Sequence, residues 1–347
     1  MFEIVFLGTS ASAPSVHRGL SAQLVLYRSY RFLIDCGEGT QRQLLKSGLG
    51  FRKLDRILLT HGHLDHILGL AGLLSTFMRW ETIEKMDVYG GRQALDRVRD
   101  LLYRVVLRGV KPPMPLIFNE IKPGPLMGDD LFELSAFPVI HRGAQGCFGY
   151  LFREKARRPF LAEQAEALGV PYGPERKLLV SGQAISLADG RTIHPGDVLG
   201  PEIKGTSLAV VGDAGRTDDL VPYVQGVDAL VIEATYLAAE SDMAAEYGHL
   251  TASQAAQLAL EASVGQLILT HVSRRYHERD VLAEAQGIFP QTAVARDFDR
   301  YATSREGTKL VSPDAVKTQS FASLSTNKEI SDDDTQSECI GIGDGGL

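Results

Sequence analysis

The sequence predicts an α/β fold in which sheets are covered by helices, and three observations predict it. Short β-branched runs alternate with longer helical patterns through most of the chain. Two runs, Val210-Val211 and Leu230-Val231-Ile232, are continuously apolar, as strands buried on both faces must be. Strands and helices are interleaved throughout rather than segregated, and no internal repeat is present.

Taken in order, Met1 to Gly8 lacks a basic leader region and reads as a strand over 2–7. Strands follow at 22–27, 30–35, 54–60 and 131–138, then at 207–212, 228–232, 266–270 and 292–295, each a short β-branched or apolar run bounded by turn residues. Apolar positions at helical spacing predict helices over 40–47, 66–79, 91–108, 217–224, 251–263 and 278–287. Residues 153–205 break this rhythm. Gly169-Val170-Pro171-Tyr172-Gly173-Pro174 and Ala188-Asp189-Gly190-Arg191 are turn sequences, so the segment reads as an insertion protruding from a main body over 1–305. From 306 to 347 Ser, Thr, Asp and Gly dominate, and the segment reads as a disordered acidic tail.

The chain of 347 residues is 44% hydrophobic and 23% charged, which excludes wholesale disorder and supplies ample core. No apolar run reaches the length of about 18 residues that spans a bilayer, so no membrane partner is expected. Cys36, Cys147 and Cys339 are scattered and odd in number, which excludes a disulfide framework and a cysteine metal site and suits a reducing cytoplasm. Net charge is −7, yet most of it sits in the tail, where eight carboxylates from Glu306 to Asp344 face three lysines.

The chemistry concentrates in Leu58-Leu59-Thr60-His61-Gly62-His63-Leu64-Asp65-His66. An apolar strand ends, and three imidazoles and a carboxylate follow within six residues. In extended chain His61 and His63 share one side, whereas Asp65 and His66 lie where the next helix begins. The cluster therefore splits into two pairs aimed at two adjacent points. Imidazole and carboxylate suit borderline divalent metals such as zinc, and two-metal hydrolases hold their ions about 3.5–4 Å apart. Four side chains do not fill two sites. His141, Asp213 and His271 each follow a predicted strand, the usual place for sites in open α/β sheets, and complete the count. Gly212 lets the backbone come close at the Asp213 turn.

This pattern resembles the metallo-β-lactamase fold, an αββα sandwich. More narrowly, the chain resembles the ribonuclease Z family of tRNA 3′-processing endonucleases. That resemblance rests on Phe6-Leu7-Gly8-Thr9-Ser10, on Asp35-Cys36-Gly37-Glu38-Gly39-Thr40-Gln41 and on Gly248-His249-Leu250-Thr251. It rests too on Leu269-Thr270-His271-Val272-Ser273-Arg274-Arg275-Tyr276 and on the Gly/Pro-rich insertion before Asp213. It covers roughly residues 1–300. The resemblance implies that His61, His63 and His141 hold one zinc, that Asp65, His66 and His271 hold a second, and that Asp213 bridges the two. It implies that Asp65 accepts a proton from the attacking water and that His249 acts near the scissile phosphate. His249 has a local alternative as a helix-entry residue, although Thr251 with Gln254 is the better cap. Ser273 and Arg275 are implied phosphate contacts; Arg275 reads equally as a solvated surface residue.

Other residues carry two readings each. Gly8-Thr9-Ser10-Ala11 is either a backbone cradle for phosphate or a plain turn. Asp35 is either a partner that orients a ligand histidine or a strand-end turn residue. Glu38 either caps the next helix or supports His61. By the resemblance, the insertion is an arm that grips the precursor tRNA, often from the partner subunit of a homodimer. Arg92, Arg97, Arg99, Arg104, Arg108 and Lys111 form a basic stretch, and Arg153, Lys155, Arg157 and Arg158 open the arm. Two departures stand out: Arg18-Gly19 replaces a common Arg-Asn pair, and Leu178-Leu179-Val180-Ser181-Gly182 is less basic than usual. The expected function is removal of the 3′ trailer of precursor tRNA to leave a 3′-hydroxyl. A small-molecule phosphodiesterase or thioesterase of the same fold is the alternative, and a metal-free RNA-binding module is disfavoured by the complete ligand set.

Overall fold

The computed structural model describes residues 1–80, 83–112 and 114–311. Two sheets form its centre. The first has eight strands in the spatial order Gly307–Leu310, Arg300–Ser304, Phe2–Gly8, Ala22–Tyr27, Tyr30–Ile34, Arg56–Leu58, Met86–Gly90, Leu116–Glu120. The second has seven, in the order Thr292–Val294, Leu267–Thr270, Ala229–Glu233, Ser207–Val210, Cys147–Glu154, Phe132–Val139, Gly124–Gly128.

Alternation within each strand explains the layering. Along Phe2–Gly8, Phe2, Ile4 and Phe6 enter a core shared with Phe132, Tyr150, Leu208, Val231 and Ile268 of the second sheet. The intervening Val5 and Leu7 point the other way, into a core closed by Leu44, Leu70, Leu73, Leu95 and Val98 of the helices Thr40–Lys46, Gly69–Trp80 and Arg92–Arg99. The second sheet likewise turns Leu230, Ile232, Leu267 and Leu269 outward onto the helices Ala252–Glu261 and Glu278–Gln286. Each central strand thus serves two cores, and the molecule is the expected αββα sandwich. No helix among the described residues is long and apolar enough to cross a membrane.

The departures from expectation have physical causes. The strands Met86–Gly90, Leu116–Glu120, Gly124–Gly128, Cys147–Glu154 and Arg300–Ser304 were not anticipated. Several are edge or half-exposed strands without a clean apolar alternation; Leu116–Glu120 contains no buried residue at all. The helix expected over 217–224 contracts to Val221–Val224, because Pro222 is tolerated only in a first turn. The helix over 91–108 has the expected length, but its second half, Asp100–Leu107, widens into π turns.

The insertion is not dominated by turns. It contains the helices Ala162–Ala167, Pro174–Val180 and Pro195–Val198 and a two-stranded ribbon, Ile185–Ser186 with Thr192–Ile193. These close on a small core of Ala165, Val170, Leu179, Ile185, Ile193 and Val198. At its base the Arg158 guanidinium donates to the carbonyls of Leu199 and Gly200, tying the outgoing limb to the returning one. The boundary of the acidic tail also moves. Gly307–Leu310 pairs in register with Arg300–Ser304, so ordered chain continues to Val311; residues 312–347, including Cys339, lie outside the described residues.

Candidate active site

All the anticipated ligand residues meet at one end of the sandwich. The first sheet supplies His61, His63, Asp65 and His66 from the loop and short helix, Leu64–Ile67, that follow Arg56–Leu58. The second sheet supplies His141, Asp213 and His271 from the ends of three strands. Gly212 is needed for this approach: a β-carbon there would stand 2.6 Å from the Thr60 hydroxyl.

The side chains sort into two groups of potential metal ligands, His61, His63 and His141 with Asp213, and Asp65, His66 and His271, and a third, overlapping group joins Asp213 and His271 to His249. Asp213 stands between the first two. Its Oδ2 faces His61 Nε2 at 3.6 Å and His141 Nε2 at 3.9 Å. Its Oδ1 faces His66 Nε2 at 3.4 Å and His271 Nε2 at 3.3 Å. Asp65 Oδ2 lies 3.6 Å from both His66 Nε2 and His271 Nε2. His63 differs in presenting Nδ1, which lies 3.3 Å from His141 Nε2.

A surrounding layer sets which nitrogen of each ring carries a proton. His66 Nδ1 lies 2.7 Å from Asp35 Oδ2, which only accepts, so the proton is on Nδ1 and the Nε2 lone pair points inward. The Thr60 hydroxyl gives its single proton to the same Asp35 oxygen and therefore accepts from His61 Nδ1 at 3.0 Å. On the second sheet the Thr235 hydroxyl donates to Glu233 and accepts from His271 Nδ1 at 2.8 Å. His141 Nδ1 donates to the Gly248 carbonyl at 2.7 Å. Four Nε2 lone pairs are thereby aimed at one space. Asp35 and His271 adopt left-handed backbone at φ 56° and 54°, a strain typical of functional strand ends.

These residues fit a cation. The Nε2 atoms of His61, His66 and His271 and Oδ1 of Asp213 are buried without a hydrogen-bond partner. Each such atom costs about 1–3 kcal/mol, so four in one place are tolerated only where something binds them. Charge agrees with this at two rings, whereas at His66 burial is outweighed by Asp213 and Asp35, which raise its pKa well above the ordinary imidazole range, so that ring gives up a proton when a cation binds. Burial pushes His61 and His63 below the ordinary imidazole range, helped by neighbouring rings, which favours the neutral donor form. Burial also acts against ionised Asp213, but the His271, His66 and His61 rings outweigh it and hold the carboxylate well below its usual pKa. The cluster is a metal-binding arrangement.

His249 sits beside this group, its Nδ1 3.1 Å from both oxygens of Glu233 and 3.9 Å from Asp213 Oδ2. Burial pulls the ring's pKa down, but the charge and hydrogen bond of Glu233 outweigh this and carry it up to about 9. The capping role falls to Thr251, which forms a reciprocal box with Gln254 and leaves the imidazole free. Glu233 was missed from sequence, although it ends the apolar run Leu230-Val231-Ile232 just as Asp213 ends its own. It is wholly buried and also accepts from the Ala214 amide at 2.7 Å.

Several expected contacts take another form. The amides of Ser10 and Ala11 donate to the Gly19 and Val272 carbonyls, and the Ser12 amide donates to Asp65 Oδ2 at 3.1 Å. The turn after the first strand is a clamp on the site rather than a phosphate cradle. Arg18 is committed to Thr9, the Ala295 carbonyl and Glu278. Glu38 is exposed, and the cap of the next helix is Gly39. Arg275 turns away to Glu240 and Met243, while the Ser273 hydroxyl accepts from the Arg275 amide. In the basic stretch Arg97 donates to the Gly62 carbonyl within the histidine loop, and Arg92, Arg99 and Arg104 pair with Glu120, Asp96 and Asp100.

Residues 177–272 match a family model described as a beta-lactamase superfamily domain, and residues 2–111 match one described as anti-Pycsar protein Apyc1. A protein named ribonuclease Z from Bradyrhizobium diazoefficiens is 48% identical over 299 residues, 86% of this chain and 99% of that relative. Ribonuclease BN of Escherichia coli K12 is 39% identical over 304 residues, covering 85% of this chain and 98% of its own. Among solved structures, the short form of human tRNase Z superposes with a TM-score of 0.62 at 26% identity, over 86% of this chain and 98% of that one.

Proposed function

The chain belongs to the ribonuclease Z family, and from that premise we infer that it is the endoribonuclease that cuts precursor tRNA at its 3′ end, freeing the trailer and leaving a 3′-hydroxyl on the tRNA. Similarity extends through the insertion, which favours an RNA substrate over a small phosphodiester or thioester.

The observation that carries the site chemistry is the position of Asp213, one carboxylate oxygen toward each triad of ligands. We assign His61, His63 and His141 to one zinc, Asp65, His66 and His271 to another, and Asp213 to both. Bound there, two zinc ions would activate a water and neutralise charge developing on the phosphate. Asp65, held by the Ser12 amide, orients that water and takes its proton. His249, kept protonated by Glu233, gives a proton to the departing 3′-oxygen of the tRNA. Ser273 and Arg275 belong to the rim; Arg275 reaches a phosphate only by leaving Glu240. The arm over 153–205 grips the tRNA body. Two zinc ions per subunit, a homodimer and a cytoplasmic location complete the proposal.

The test is incubation with a precursor tRNA carrying a 3′ trailer, with and without chelator, followed by mapping of the cut. Cleavage beside the acceptor stem that chelator abolishes and zinc restores is the expected result. Hydrolysis of a small phosphodiester with an untouched precursor would favour the small-molecule alternative. Metal analysis gives the ion count, and light scattering the assembly.

A further inference from the structure

At the end of the sandwich opposite the histidine cluster, a cavity of about 580 Å³ opens where the arm joins the body. Its walls come from three turns of the body and from both limbs of the arm. Arg28 stands in the turn between Ala22–Tyr27 and Tyr30–Ile34, and Arg305 in the turn between Arg300–Ser304 and Gly307–Leu310. Lys155 and Arg157 lie on the outgoing limb, facing Gly205 and Thr206 on the returning one.

An exposed cation by itself implies nothing, since arginine is ordinarily solvated. Here the balance of partners decides. Among the described residues, no carboxylate lies within ion-pair distance of these four cations, and Asp129 beside the cavity feels the charge of Lys155 from farther off. The acids of the cavity are mostly taken. Glu154 accepts from the Met1 amino group at 2.5 Å and from the Thr206 amide and hydroxyl at 3.1 and 2.7 Å. Glu306 faces Lys309 at 3.9 Å, which leaves Asp130 as the one uncommitted acid among the residues that line the cavity. The four cations outnumber the three lining carboxylates, Asp130, Glu154 and Glu306, so the concavity carries a net positive charge in a chain of net charge −7. Three of the cations are guanidinium groups, whose planar forks match phosphate oxygens in pairs.

We propose that this cavity at the root of the arm is a second phosphate-binding site, separate from the site of cleavage, taking a backbone phosphate of the RNA substrate or a free phosphate. The inference rests on the proposed function for its substrate. Ser207 to Asp213 alone spans about 20 Å at roughly 3.3 Å per residue, so a small phosphodiester at the histidines reaches none of these cations and a long RNA can.

The experiment compares wild type with Arg28→Glu/Arg305→Glu, and with Arg28→Asn/Arg305→Gln should charge reversal disturb folding. Each metal-loaded protein is assayed on precursor tRNA over a range of salt and on bis(p-nitrophenyl) phosphate, and is titrated with inorganic phosphate by calorimetry. If RNA occupies the cavity, KM for precursor tRNA rises about five-fold or more, with kcat and diester hydrolysis within about two-fold. The slope of log KM against log salt then falls by about 0.7–0.9 for each backbone phosphate no longer neutralised. If free phosphate occupies it, wild type binds one more equivalent of phosphate than the variants while tRNA kinetics stay the same. Unchanged KM, salt slope and phosphate stoichiometry together overturn the proposal. Wild-type protein that hydrolyses the diester but leaves the precursor intact would refute the tRNA reading instead, and the phosphate titration would still test the cavity.

Discussion

At the scale of single residues, two buried carboxylates organise four imidazoles. Asp35 holds His66 directly and His61 through Thr60, whereas Glu233 holds His249 directly and His271 through Thr235. Three of these rings are proposed ligands and the fourth a proton donor, so similar support serves different chemistry. Asp65→Ala is expected to slow single-turnover cleavage by about 10²–10⁴-fold, the contribution of a positioned proton-transfer group. His249→Ala is expected to slow it while keeping the metal content, measured by elemental analysis; loss of metal would make His249 a ligand instead. Glu233→Gln adds a pH test. A proton donor works only while protonated, so activity falls as pH rises through its pKa. Glu233 raises that pKa, and its neutralisation should move the alkaline limb of the kcat profile to lower pH. An unmoved limb would remove His249 from the proton-donor role. Of this layer only Asp35 was legible beforehand, as an ionisable residue ending an apolar strand; Glu233 ends one in the same way and was missed. Thr60 and Thr235 were not legible, since a hydroxyl that relays one hydrogen bond leaves no mark of spacing or charge.

At the scale of elements, legibility followed burial only in part. The strands at 2–7, 22–27 and 228–232 serve cores on both faces and announce themselves by continuous or alternating apolar residues. Edge strands and the arm do not, and the buried interior strands Met86–Gly90 and Cys147–Glu154 were missed as well, their apolar residues being interrupted by Asp87, Gly149 and Arg153. The arm buries only six hydrophobic residues in its own core, from elements of two to seven residues, too short to show a period. It is nevertheless a separable element. The Glu154 amide donates to the Thr206 carbonyl at 2.8 Å, so the two limbs leave the body side by side and a two- or three-residue turn would close the gap. Such an excision is expected to abolish cleavage of precursor tRNA and to spare hydrolysis of bis(p-nitrophenyl) phosphate within a few-fold. Equal loss of both activities in a folded protein would count against a substrate-gripping arm.

At the scale of the whole molecule, the two sheets meet in one apolar interior but share a second junction at the cluster. His61, His63, Asp65 and His66 come from the first sheet, and His141, Asp213 and His271 from the second. Without a cation, this end of the sandwich gathers five imidazoles and two carboxylates, several of whose inward atoms are buried without partners, which costs stability. A bound cation draws ligands from both sheets and acts as a cross-link between them. Ligand that binds the folded state alone stabilises by about 4 kcal/mol at 1,000 times its dissociation constant. At about 2.1 cal/mol/K per residue, each kcal/mol moves the Tm of a chain of this size by roughly 1.5 °C. Removing metal from one tight site should therefore lower Tm by about 6 °C, and zinc should restore it, as read by scanning calorimetry on the same sample. Asp213→Asn reports on the shared position. If that carboxylate joins both groups, the variant should lose affinity at both and show the lower Tm even in excess zinc. A variant that keeps one tight zinc and half of the thermal shift would place Asp213 in a single group. A chelated protein shown to be metal-free yet melting at the loaded temperature would mean that the sheets are held by their apolar faces alone.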